Sequence, residues 1–208
     1  MKKYAIISDW FFALSSAAFL VWAAADSKTF ISITKANPYF MGFAKFFLLG
    51  TCGEVIKNYL KGGRGLDRPI QRAVVWGFFG VWISAAFPLF SAGTDALTTG
   101  GMWFEAMPAA LSKSLWINCL GGFAFMMMTT HEYCNYVIKN DGRKWGLKGF
   151  AQSADPVFLL SFVPKTFLFW VPAHTFTFSL PPEWRALSAA VLAIALGFLL
   201  AGAKKAAK

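Results

Sequence analysis

Charge is what this sequence has least of. Only 14% of its residues are Asp, Glu, Lys or Arg, against about a quarter in an ordinary soluble domain, so a chain of 208 residues has too little polar surface to dissolve in water. Histidine occurs twice, as His131 and His174. His131 and Cys134 share one helix face, but no second His/Cys pair accompanies them, so a metal centre is not expected. The three cysteines, Cys52, Cys119 and Cys134, form no Cys-x-x-Cys pair and fall in or at the ends of apolar runs. A disulfide framework is therefore not expected, and each thiol is read as a small buried hydrophobe. There is no HExxH, no GxSxG and no paired nucleophile and base, so the chain is read as a non-enzyme with no catalytic residue and no cofactor. Gly62-Gly63-Arg64-Gly65 lacks the Lys-Ser/Thr ending of a phosphate-binding loop and is read as a turn.

What the sequence has in abundance is bulky apolar surface: 57% hydrophobic residues, with 23 Phe and 9 Trp, and a mean hydropathy of +0.50. Aromatic side chains of this kind suit lipid-facing and interfacial positions. Six apolar segments follow one another, at 4–25, 39–58, 73–93, 112–137, 155–174 and 186–202. Each is close to the roughly 20 residues that cross a bilayer as a helix. The expected fold is all-α, a polytopic transmembrane helical bundle of about six spans with short interfacial helices. The first run resembles a signal peptide in having Lys2 and Lys3 before it, but it is longer than the usual apolar core of one and is read as a retained span. The stretch from Trp103 through Glu105 to Pro108, and Trp145 to Phe150, are read as interfacial anchors.

The basic residues lie between these runs, so the excess of 20 Lys and Arg over 10 Asp and Glu is read as a topology signal and not as a nucleic-acid surface. Alternating the sides places 14 Lys and Arg on one face of the membrane and four, Lys28, Lys35, Lys113 and Arg185, on the other; Lys45 and Lys165 fall within spans. The positive-inside rule then puts both termini in the cytoplasm, or in a matrix-like compartment of an organelle. A bacterial inner membrane is the expected location, with a mitochondrial inner or peroxisomal membrane as the alternative.

Ionisable residues within spans are the best functional clues, because exposing them to lipid is costly. Glu54 shares a helix face with Lys57 and Asn58, and is read either as a local ion pair that fixes packing or as the polar wall of a cavity. Lys165 lies near the middle of the fifth span, in a helix punctuated by Pro156, Pro164 and Pro172, each of which removes a backbone donor. Two readings stand for it: a charge facing a hydrated path, where it would favour anions, or a buried bridge to Glu54 or Asp155. Lys45 is a second basic residue inside a span. Asn118 adds an amide within the fourth.

Several motifs then carry a resemblance. Asn37-Pro38 ahead of a helix, Gly53-Glu54 within it, Arg72 and Gly77 at the start of the next, and Lys113 with Asn118 further on resemble elements of the Mpv-seventeen/peroxisomal membrane protein family. Trp170-Val171-Pro172-Ala173-His174, Thr177-Phe178 and Pro181-Pro182-Glu183-Trp184-Arg185 are similar to that family's Trp-Pro…Gln…Asn-Phe…Pro-Pro-x-Tyr-Arg signature. His174 and Thr177 stand where the family has Gln and Asn. The match is spread over about residues 30–202, which divides the chain into an extra N-terminal transmembrane helix at 1–29 and a family-like bundle at 30–208. The resemblance implies channel-like passage of small solutes. Together with the reading of the spans, it gives pore or cavity lining by Lys165, Glu54, Asn118, His174, Thr177 and Lys45, and structural roles for Gly53, Pro164, Pro172, Trp170 and Arg185. The expected partners are the lipid bilayer, small solutes, and either further copies of the chain or other subunits of a membrane complex. The alternative function is a non-transporting scaffold or accessory subunit.

Overall fold

The structure, a computed structural model, describes residues 2–143, 145–153 and 162–202. Among these residues every regular element is helical and there is no strand. Three helices are long and apolar enough to cross a membrane: α1 (Lys2–Ala25, its spanning part Tyr4–Ala25), α3 (Pro38–Leu60) and α4 (Pro69–Thr99). In hydrocarbon the backbone has no partner but itself, and this is why continuous apolar runs wind into helices.

Local chemistry sets the ends. Asp26 separates α1 from the short α2 (Ser27–Ala36), and its Oδ1 accepts the Thr29 N–H at 3.2 Å, satisfying one of the free donors of a helix start. Asn37 closes α2 through its own N–H on Ile33 and leads into α3, where Pro38 occupies the first turn and costs no hydrogen bond. Gly62, with φ of +80°, takes the left-handed conformation just beyond α3 that glycine tolerates best.

The described chain forms two compact units. Unit 1 contains α1 to α3, α4 as far as Ser84, and α10 (Pro182–Gly202), which contributes from Glu183 onward. Its centre is α3. Every residue from Leu49 to Val55 is buried, as expected of a helix surrounded by others. Glycines let the neighbours approach closely. A Cβ on Gly42 would lie 2.6 Å from the Gly80 carbonyl oxygen, one on Gly50 would meet the Trp76 indole at 2.6 Å, and one on Gly53 would lie 3.2 Å from the Ala193 oxygen and Ile194 Cα. These contacts draw α4 and α10 onto α3 by the small-residue packing that membrane helices use. In contrast, α1 turns Tyr4, Ile7, Trp10, Leu14 and Val21 outward and seats Asp9, Phe12, Ser16 and Ala23 inward.

Unit 2 spans Ala85–Pro182. It holds the rest of α4, α5 (Ala109–Leu115), α6 (Phe123–Lys139), α7 (Leu147–Ser153), α8 (Phe162–Lys165) and α9 (Val171–Ser179). A π-helical turn, Trp116–Leu120, continues α5, and a second, Thr166–Trp170, joins α8 to α9. The elements pair as α5 with α9, π turn with π turn, and α6 with α8. Phe150 of α7 packs edge-on against Tyr133 and Tyr136 of α6.

The helices differ from the apolar segments in instructive ways. The fourth segment is not one continuous helix: the Gly121 N–H reaches back to the Trp116 carbonyl, closing the π turn, and Gly122 is left-handed with φ of +61°. Helix α2 occupies a stretch outside the six segments; its signal is the four-residue spacing of Phe30 and Thr34, both buried. Residues 100–108 are turns and irregular chain, whereas 147–153 are helical. The helix containing His174 runs on to Ser179, and the last helix starts at Pro182.

Candidate functional site: buried polar clusters in each unit

Four of the residues singled out from the sequence come together in unit 2. Asn118, in the first π turn, is 2% exposed. Its Nδ2 donates to the Ser114 carbonyl at 2.8 Å, and also lies 3.2 Å from Ser114 Oγ and 3.4 Å from the Trp170 carbonyl. Its Oδ1 lies 2.9 Å from His174 Nδ1. Because a carbonyl oxygen can only accept, that contact requires a proton on Nδ1, so that in the neutral tautomer Nε2 is the acceptor. Ser114 Oγ donates to the Val171 carbonyl at 2.7 Å.

Aromatic rings enclose the imidazole. Trp170 lies 5.1 Å and Phe87 5.3 Å from it, centroid to centroid, and Phe178 packs on Phe87 at 5.2 Å. Trp170 is itself held by its indole N–H on Met128 Sδ at 3.2 Å. Thr177 is fully buried, with its hydroxyl on the Ala173 carbonyl at 3.1 Å. The result is a polar network inside an otherwise apolar helix pair, built where both chains are π-wound. Such turns are rare and concentrate at functional positions.

Unit 1 buries several charged side chains. Glu54 pairs with Arg72 across the turn that follows α3. Its Oε2 lies 2.8 Å from Arg72 Nη1, with both side chains almost wholly buried, and Arg72 Nε donates to the Asp67 carbonyl at 2.8 Å. Asp9 Oδ1 accepts the Leu66 N–H at 3.0 Å, tying α1 to the turn that follows α3. Lys45 is 0% exposed. Its Nζ faces Thr34 Oγ1 at 3.3 Å, the Glu183 carbonyl at 3.4 Å and the ring of Phe30 at 4.6 Å.

The remaining expectations divide. Gly53 is a close-approach glycine, and Pro172 is the second residue of α9, which continues directly from the π turn 166–170, so its missing N–H falls inside a continuous helical stretch. Pro164 belongs to α8 and is exposed, and Arg185 is half-buried in α10. Asp155, Pro156 and the side chain of Lys165 lie outside the described residues. Sequence reading missed Ser114 and Thr34. Ser114 lies four residues before Asn118 on the same face, a signal available in retrospect; Thr34 carried only its four-residue spacing from Phe30, which does not point to Lys45.

Among the described residues no group of three or more His, Cys, Asp or Glu side chains is arranged to hold a metal ion. No protein-family model, no curated protein and no solved structure matches the chain.

Proposed function

We propose that the chain is a polytopic membrane protein that gives small polar solutes passive passage, with Asn118 and His174 at its constriction. The observation that carries this reading is the 2.9 Å contact between them, buried between two π-wound segments. An amide and a neutral imidazole offer both donor and acceptor groups, which can replace part of a solute's hydration as it passes. With their hydrogen bonds turned on one another, the groups describe a closed state; passage requires the pair to separate and turn to the solute.

The proposed threading has six crossings with both termini on the cytoplasmic side, supported by the division of 14 against four basic residues. The resemblance to the Mpv-seventeen/peroxisomal membrane protein family supports the same class of function, and Lys165 is proposed to bias the path toward anions. The deciding experiment is efflux of small polar solutes from liposomes containing the purified protein. Flux that falls when His174→Leu is introduced supports the constriction; liposomes that leak no faster than protein-free ones would remove the proposal. For the charge bias, a reversal potential unchanged in Lys165→Gln removes that residue's role.

A second reading, a non-transporting scaffold, draws on the Glu54–Arg72 pair, because charges neutralised within the bundle need no solute or water. Its mark would be co-purification with other membrane subunits and no flux.

A further inference from the structure

Lys45 is a buried cation whose nearest partners are all neutral. Its ammonium group, 0% exposed, has contacts of 3.3 Å to a hydroxyl and 3.4 Å to a carbonyl, both long for hydrogen bonds made by a charged donor, which settle near 2.7–2.9 Å. The third interaction is with the face of Phe30 at 4.6 Å. Among the described residues no carboxylate oxygen lies within 4.0 Å of Lys45 Nζ. Among the described residues the Glu183 carboxylate acts on Lys45 from beyond that distance, and it pairs with Lys35 at 3.4 Å. Glu54, in contrast, is closed by the opposite charge of Arg72. A buried ion without a counter-ion is unfavourable.

From this geometry we infer that Lys45 is the anchor of an anion-binding site in unit 1, taking a compact monoanion such as a halide or a small carboxylate. The walls are in place. Helix α2 lies over the ammonium, fixed by Phe30 between Lys45 and the Trp184 ring at 4.7 Å. The first turn of α10 borders the same site and adds the positive end of a helix 21 residues long. The long bonds to Thr34 and to the Glu183 carbonyl are the ones an anion displaces, and α2, a helix of 10 residues between two short breaks, is the element that moves to admit it. A compact ion suits a site with no exposed surface; the same chemistry on a phospholipid head group would have to reach it through α2. The site stands whether or not Asn118 and His174 line a path, because it belongs to a different unit and uses none of their atoms.

The test is thermal unfolding of the full chain in non-ionic detergent, with sodium chloride or sodium acetate replacing sodium gluconate at constant ionic strength. A ligand of the folded state raises the melting temperature by mass action, so a saturable rise with chloride or acetate is expected. Lys45→Met should abolish it. Glu183→Gln removes the competing carboxylate and should lower the half-saturating concentration several-fold. A parallel arm adds phosphatidylglycerol in gluconate: a rise seen there and absent with chloride and acetate assigns the anion to a lipid head group. No response to any of the three anions in the wild type, or a response that persists in Lys45→Met, overturns the site. Should Lys45→Met fail to fold, Glu183→Gln decides: a several-fold shift upholds the site and an unchanged midpoint refutes it.

Discussion

Arg72 reaches across the turn between α3 and α4 to place Nη1 2.8 Å from Glu54 Oε2, and its Nε on the Asp67 carbonyl. One guanidinium thus fastens a buried carboxylate and the end of the connecting turn together. The fork geometry of Arg makes this double use possible; a Lys at the same position could serve only as a point charge.

Breaking that pair one side at a time should be severe. Arg72→Gln takes the guanidinium away from the buried Glu54 carboxylate and is expected to cost about 3–5 kcal/mol. The double variant Glu54→Gln with Arg72→Gln should recover a large part of the loss, because neither remaining group is charged. Thermal melts of the three variants in one detergent check this. A double-variant loss equal to the sum of the Arg72→Gln and Glu54→Gln losses would show that the pair contributes nothing as a pair.

The crossing of Gly42 and Gly80 makes a sharper steric prediction. A methyl on Gly42 would sit 2.6 Å from the Gly80 carbonyl oxygen, and backbone cannot step aside as a side chain can. Gly42→Ala should destabilise the protein by about 1–3 kcal/mol. The control is Gly93→Ala, also in a helix but with open space around its Cβ, which should stabilise by up to about 1 kcal/mol through helix propensity alone. Melting temperatures that move together would contradict the packing argument.

Asn118 holds three elements at once, through Ser114, Trp170 and His174. Asn118→Ala should cost about 1–3 kcal/mol by stranding buried polar groups. It should also change solute efflux from liposomes relative to wild type. A variant that melts early but conducts normally would keep the network as a structural clamp and dissociate it from the proposed path.

Sidedness can be tested with single cysteines in a cysteine-free background. Lys61→Cys and Lys139→Cys should react with a membrane-impermeant maleimide from the same side, and Glu105→Cys from the opposite one. Labelling of all three from one side would rule out the proposed threading.

Helix content was legible in the sequence because each apolar run is longer than a strand needs and carries few charges. The breaks were less so. Gly121-Gly122 interrupts the fourth run with a π turn and a left-handed residue, yet two adjacent glycines in an apolar segment read equally well as a close-packing face. Helix α2 was hidden for the opposite reason: ten residues with only Phe30 and Thr34 buried make a weak periodic signal. Within the candidate site, Asn118 stood out as a polar residue in apolar surroundings, and His174 and Thr177 through the family resemblance. That Ser114 completes the network was not visible, since a serine in a membrane helix commonly bonds its own backbone.

The sequence by itself determined that this chain is all-helical in its described parts, and which stretches are apolar enough to lie in a bilayer. Those properties follow from composition along the chain, because a backbone deprived of water must satisfy itself within its own segment. Only the tertiary structure decided the partners. It put Glu54 on Arg72, 18 residues away, Asn118 on His174, 56 away, and Lys45 beneath α2 beside Glu183, 138 away. These choices depend on how each helix is rotated about its axis, and a helix such as α3, apolar on nearly every side, has no hydrophobic face from which that rotation can be read.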